Sequence, residues 1–149
     1  MSKQEEAGLI LKLYELRREE TMRKARDWFI VQFNPRSIED FTDTMFSERG
    51  AYLRMVVSYW DMAAALVNNG AIDLNLFCQA TNEFLIVFLK IEPLLEQIRA
   101  AINPQFAASL EKMVKAMPDG GQTLNQMRER MKEMRARFAA MREPVGART

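Results

Sequence analysis

The sequence predicts an all-α fold, a single bundle of five or six helices. Apolar side chains recur at intervals of three and four residues along nearly the whole chain. No stretch alternates between apolar and polar residues as a half-buried strand does. Proline, glycine and asparagine divide the chain into segments of helical length. The 149 residues therefore predict one helical domain, residues 1–149, which is large enough to bury a core.

The first segment predicts one long N-terminal helix, residues 2–33, because no breaker occurs before Asn34-Pro35. Ser37, followed directly by acidic residues, is typical of a helix start and predicts a short second helix that ends near Phe46.

A third helix is expected between Gly50 and Asn68, and Asn69-Gly70 is a common C-terminal stop. Its apolar residues cover most of the helix circumference, so we expect it at the centre of the bundle. A narrow polar stripe remains, formed by Arg54, Ser58 and Asp61. The stripe is a candidate site for a small polar ligand, the solvent edge of a buried helix, or an internal pairing of Arg54 with Asp61 across two turns.

The fourth helix is expected to extend from Asp73 to Ile102, with a kink near Ile91 because Pro93 lies within it. Its middle is apolar on two sides, so it should be sandwiched within the bundle or by a partner. Cys78 lies on the second side, where an inert small hydrophobe is the expected role, since no cation is near in sequence.

Asn103-Pro104 predicts the start of a fifth helix, and residues 118–121 predict a turn. A capping box at residues 123–126 predicts a C-terminal helix that extends to about Arg142. Residues 143–149 are expected to form a disordered tail.

The segment Tyr59-Trp60-Asp61-Met62-Ala63-Ala64, followed by Gly70-Ala71-Ile72-Asp73 and Ile91-Glu92-Pro93, resembles an arrangement in small, uncharacterised bacterial helical proteins. The resemblance to this domain-of-unknown-function type covers residues 50–100 and leaves the terminal helices outside. It implies a helical bundle and a bacterial setting, and it carries over no functional residue.

The C-terminal helix has the sharpest pattern in the chain. Apolar residues follow alternating spacings of three and four, as in a coiled-coil seam. The seam is Leu124, Met127, Met131, Met134, Phe138 and Met141, and the arginines that flank it include Arg128, Arg130, Arg135 and Arg137. Arginines on both flanks would repel a parallel copy, so we expect an acidic, apolar counterpart.

Three counterparts are open for this helix. The central residues, 34–103, hold nine Asp/Glu against five Lys/Arg and can supply the counterpart within the fold. A groove on a partner protein is the second, because Met-rich helices repack on varied surfaces. Anionic lipid or nucleic acid is the third, although interleaved glutamates and a net charge of only +1 argue against it.

The composition argues against catalysis. The chain has no histidine and one cysteine, so the commonest general base, the Ser-His and Cys-His pairs and cysteine zinc sites are excluded. Metal chemistry with carboxylate ligands alone remains possible, and Glu92 with Glu96 is the one candidate pair of ligands. We therefore expect no metal, no cofactor and no enzymatic activity.

The N-terminal helix has a surplus of apolar residues. Leu11 and Tyr14 continue the stripe that we assign to the core, whereas Leu9, Leu13 and Leu16 lie on nearly the opposite side. A homodimer in which these leucines meet their symmetry mates would bury them; coverage within one chain is the alternative.

Together these patterns predict a non-catalytic helical interaction or oligomerisation module. The alternative is a peripheral binder of anionic lipid or nucleic acid through the C-terminal helix. We expect no export signal, because acidic residues stand where a signal peptide carries positive charge, and the longest apolar run, Phe84–Leu89, is too short to span a bilayer. A cytoplasmic location is expected.

Overall fold

The computed structural model describes residues 2–142. This described part is all-α and contains no strand, which confirms the predicted fold class. The predicted tail, residues 143–149, lies outside the described residues. The helices are α1 (Lys3–Arg17), α2 (Glu20–Val31), α3 (Ile38–Met45), α4 (Gly50–Asn68), α5 (Leu74–Ala80), α6 (Glu83–Ile91), α7 (Leu95–Ala101), α8 (Ala108–Ala116) and α9 (Gly120–Arg142).

The predicted count of five or six helices was wrong, first because the long N-terminal helix is two helices. The chain breaks at Arg18-Glu19. The Glu19 carboxylate accepts hydrogen bonds from the backbone N–H groups of Thr21, at 3.0 Å, and Met22, at 2.9 Å. It thereby caps α2, a role usually taken by Ser, Thr, Asp or Asn, so no ordinary breaker marks this boundary.

The predicted fourth helix is also divided, at two places. The break near Pro93 was predicted and takes the form of a short 3₁₀ turn, Glu92–Leu94. A further break at Thr81-Asn82 was not predicted, and it separates α5 from the following helices by a bend of 96°. Thr81 and Asn82 are residue types that favour helix N-termini, and this preference is the feature of the sequence that could have predicted the break.

Helix α4 lies at the centre, as predicted. It makes its most extensive contacts with α2 and α8, and it also touches α3, α5 and α6. Gly50 begins α4 so close to the end of α3 that a Cβ atom there would lie 2.0 Å from the Met45 carbonyl oxygen. Glycine is therefore required at this approach.

Helix α6 is covered on both sides by its own chain, as the two-sided apolar pattern predicts. It contacts α2, α4 and α8 on the bundle side, and α9 packs against it from outside. Helices α8 and α9 begin at Ala108 and Gly120, whereas the sequence predicts that they begin at Asn103-Pro104 and Thr123. The core is one continuous hydrophobic cluster to which every helix from α1 to α9 contributes.

Among the described residues, no single helix is long and apolar enough to cross a membrane. The bent pair formed by Leu74–Ala80 and Glu83–Ala101 meets the criterion only by length and composition.

Candidate functional site

An open apolar groove lies between α1, α4 and the end of α5. Its volume is about 210 Å³. Helix α1 supplies one wall, the aromatic residues of α4 form the floor, and the end of α5 closes the opposite side. The lining residues are Ile10, Leu11, Leu13, Tyr14, Arg17, Tyr59, Trp60, Phe77, Ala80 and Thr81.

Arg17 is the one charged residue among those that line this groove. Its Nη1 donates a hydrogen bond to Thr81 Oγ1 at 3.0 Å. The guanidinium carbon lies 5.1 Å from the centre of the Tyr14 ring and 5.7 Å from the centre of the Trp60 ring, within the range of cation–π attraction. No carboxylate in the described part of the chain lies within ion-pair distance of Arg17.

Trp60 lines the groove and carries a buried polar atom. The residue is 1% exposed, and its indole Nε1 has no hydrogen-bond partner among the residues that the structure describes. Buried donors are nearly always paired with protein or water. The neighbouring Tyr59 hydroxyl, by contrast, donates to the Leu13 carbonyl oxygen of α1.

Helix α1 is held over the groove at both of its ends. Near its start, the buried Glu6 carboxylate accepts the backbone N–H of Asp73 at 3.0 Å. At its C-terminus, Arg26 donates to the Arg17 carbonyl oxygen at 3.1 Å and pairs with Glu83 through two hydrogen bonds of 2.8 and 3.0 Å. Hydrogen bonding to Glu83 raises the pKa of Arg26. These contacts hold α1 against α2, the start of α5 and α6.

The predicted polar stripe does not form a joined site. Arg54 contacts the Met45 sulfur at 3.8 Å, and Ser58 donates to the carbonyl oxygen of Met55 in the preceding turn at 3.3 Å. Asp61 instead accepts the backbone N–H of Leu110 at 2.8 Å and caps α8. No hydrogen bond or ion pair between described residues links Arg54, Ser58 and Asp61.

The fold separates the residues that we predict for self-association. Leu13 is buried in the core at 7% exposure, Leu9 is half-buried against it, and Leu16 is 44% exposed. On the stripe predicted to face the core, Leu11 and Tyr14 are 65% and 47% exposed. That assignment of the two faces was wrong, because the break after α1 removes the straight helix on which it depended.

The C-terminal helix docks on its own chain through the first part of its seam. Met127 and Met131 are buried, and Met134 and Phe138 lie beside Ile86 and other residues of α2 and α6. Arg128 pairs with Glu92 at 2.7 Å, so the acidic centre contributes one counterpart. The side chains of Arg130, Arg135 and Arg137 are exposed.

Lys90 lies under α9 and is a buried charged residue that the sequence analysis did not single out. Its ammonium group donates to the carbonyl oxygens of Phe29, Ile30 and Phe33, at 2.7, 2.7 and 2.9 Å. It thus closes the C-terminus of α2. Burial, with the nearby Arg135 guanidinium, lowers the pKa of Lys90 to about 7.

The described residues contain no group of three or more His, Cys, Asp or Glu arranged to hold a metal ion. Glu92 is engaged with Arg128, and Glu96 is exposed on α7. Burial raises the pKa of the Cys78 thiol, with a smaller contribution from Asp73, which agrees with the inert role expected for this cysteine.

The fold and the groove define a small all-α domain with an apolar cleft. The chain belongs to the family described as domain of unknown function DUF4760, whose model matches residues 4–117. The predicted resemblance to an uncharacterised family is therefore confirmed. The match extends beyond the expected residues 50–100 and includes α1, whereas α9 lies after its end. No curated protein and no solved structure matches the chain.

Proposed function

We propose that this chain is a non-catalytic helical interaction module that self-associates through α1. One observation supports the proposal: apolar exposure is concentrated on this helix. Among the described residues, α1 carries three of the seven exposed large hydrophobic side chains, namely Leu11, Tyr14 and Leu16. Burial of such residues against a second copy is the usual driving force for a two-fold dimer.

Charge decides which side of α1 meets the second copy. The guanidinium groups of Arg17 and Arg18 lie 5.1 and 5.5 Å from the Tyr14 ring centre. A two-fold contact there would bring four cations together. Leu9 and Leu16 are one heptad apart on the other side, and Glu5 and Lys12 accompany them with opposite charges. We therefore assign the contact to the side of Leu9 and Leu16, which buries Leu16 of the three exposed residues and leaves Leu11 and Tyr14 outside the contact.

Matched substitutions on the two sides of α1 test this assignment. Leu16→Glu places a charge in the proposed contact and is expected to weaken self-association at least tenfold, as measured by sedimentation equilibrium. Leu11→Glu is the control, because Leu11 is more exposed and lies on the other side. Equal affinities for the Leu16→Glu variant and the unaltered chain would contradict the proposal.

Helix α9 offers a second candidate function, binding to anionic lipid or nucleic acid. The exposed side chains of Arg130, Arg135 and Arg137 favour it, whereas Glu129 and Glu133 between them weaken it. Vesicles that contain phosphatidylserine test the lipid form. Binding that disappears at high salt would support it, and equal recovery on neutral vesicles would contradict it.

We further propose a bacterial, cytoplasmic setting for the module. The family resemblance supports a bacterial source. The single cysteine supports a reducing compartment, since Cys78 has no second cysteine with which to form an internal disulfide.

A further inference from the structure

We propose that the groove between α1, α4 and α5 binds a small anionic amphiphile, a carboxylate on a short apolar chain or a single aromatic ring. This site goes beyond the proposed self-association and does not depend on it, because the groove opens on the side of α1 that carries Tyr14. Size and charge both support the same class of ligand.

The groove is of the right size for the apolar part of such a ligand. An engineered apolar cavity of about 150 Å³ holds benzene, and this groove has about 210 Å³. One ring, or a chain of roughly six to eight carbons, therefore fits. An entire helix, about 10 Å across with its side chains, does not, which argues against a protein segment as the occupant.

Arg17 supplies the charge that an anionic head group needs. Its guanidinium donates one described hydrogen bond, to Thr81, and its other N–H groups have no acceptor among the described residues. Cation–π contacts with Tyr14 and Trp60, together with the hydrogen bond to Thr81, hold the guanidinium at the groove. A guanidinium held in this way favours a carboxylate, which it can bind through two parallel hydrogen bonds.

Trp60 provides a probe of the site. Its ring lines the groove, so a ligand bound beside Arg17 changes the surroundings of the indole ring and can be detected there. Since Arg17 is the only charged residue in the lining, one negative charge balances the site. A singly charged carboxylate is therefore favoured over a phosphate.

The test uses sodium octanoate and the indole N–H signals of the two tryptophans in a ¹H–¹⁵N NMR spectrum. Octanoate is expected to shift the Trp60 signal saturably at millimolar concentrations and to leave the Trp28 signal in place. Acetate, which has the charge without the chain, and octan-1-ol, which has the chain without the charge, are both expected to bind at least tenfold more weakly.

Two variants establish where the ligand binds. Arg17→Gln is expected to weaken octanoate binding at least tenfold, whereas Arg18→Gln, its neighbour outside the groove lining, leaves binding unchanged. Ala80→Phe fills the groove from an exposed position and is expected to abolish the Trp60 shift. It keeps the test valid if the Arg17 variant fails to fold.

Several results would overturn the proposal. These are the absence of a Trp60 shift with octanoate, octan-1-ol binding as tightly as octanoate, or equal losses in the Arg17 and Arg18 variants. Repeating the titration on the Leu16→Glu variant separates this inference from the proposed function, because octanoate is expected to bind whether or not the chain self-associates.

Discussion

Three charged side chains complete the ends of helices that are distant from them in sequence. Glu6 accepts the backbone N–H of Asp73, the N-cap residue of α5, Asp61 accepts that of Leu110 in the first turn of α8, and Lys90 donates to carbonyl oxygens at the end of α2. The N–H and C=O groups at helix ends have no partner within the helix, and burying them unpaired is costly. These residues therefore stabilise the fold by satisfying backbone groups as well as by packing.

The lowered pKa of Lys90 makes stability depend on pH. The unfolded chain binds a proton at Lys90 up to about pH 10.5, whereas the folded chain releases it near pH 7. Between these values the unfolded state holds more protons, so stability rises with pH. We expect the free energy of unfolding to increase between pH 7 and 9 by up to about 1.4 kcal/mol per pH unit.

Urea unfolding of the unaltered chain and of Lys90→Met checks this expectation. In the Lys90→Met variant the free energy of unfolding should not increase between pH 7 and 9. In the Lys112→Met variant, which changes an exposed lysine on α8, it should increase as in the unaltered chain. Burial raises the pKa values of Cys78 and Tyr59. These two groups make stability fall as pH rises, but they act at higher pH than Lys90 does. Equal slopes in all three proteins would show that the carbonyls of Phe29, Ile30 and Phe33 keep Lys90 charged.

Helix α9 is the element that lies beyond the family match. It attaches through a Met-rich seam and the ion pair between Arg128 and Glu92, so its docking depends mainly on apolar burial. Met131 is 3% exposed and lies near the middle of the seam.

We expect Met131→Ala to lower the free energy of unfolding by about 2–5 kcal/mol, the usual cost of truncating a buried methionine. Met141→Ala, on the exposed end of the same helix, is expected to change it by less than about 0.5 kcal/mol. Chemical denaturation measures both. A Met131 variant as stable as the unaltered chain would mean that α9 does not dock in solution.

The helix boundaries could be predicted from sequence where ordinary breakers mark them. Asn34-Pro35, Asn69-Gly70 and Pro93 each fall at the end of a helix or at a break. The boundary at Glu19 could not, because glutamate is common inside helices and becomes a cap here only through its contacts with the backbone. Thr81 was missed because the apolar periodicity continues across the bend.

The groove could not be predicted, because three separate segments form it. Arg17, Trp60 and Thr81 come together only after the break at Arg18-Glu19 sets the direction of α1 and the bend at Thr81 sets the direction of α6. Each residue alone has an ordinary interpretation. The position of α4 at the centre, by contrast, follows directly from the apolar residues around its circumference.

For the whole molecule, the first helix contributes to the core and yet is incompletely covered by the rest of the chain. The core joins α1 to α9 in one cluster, yet α1 keeps large apolar side chains in solvent. The proposed self-association gives this surface a role, and the groove gives the opposite side of the same helix another.

The molar mass of the unaltered chain in solution tests the central claim most directly. Size-exclusion chromatography with light scattering, at tens of micromolar, is expected to give about twice the 17.3 kDa of one chain. The mass should fall towards that of one chain on dilution. A mass of one chain throughout this range would contradict self-association through α1.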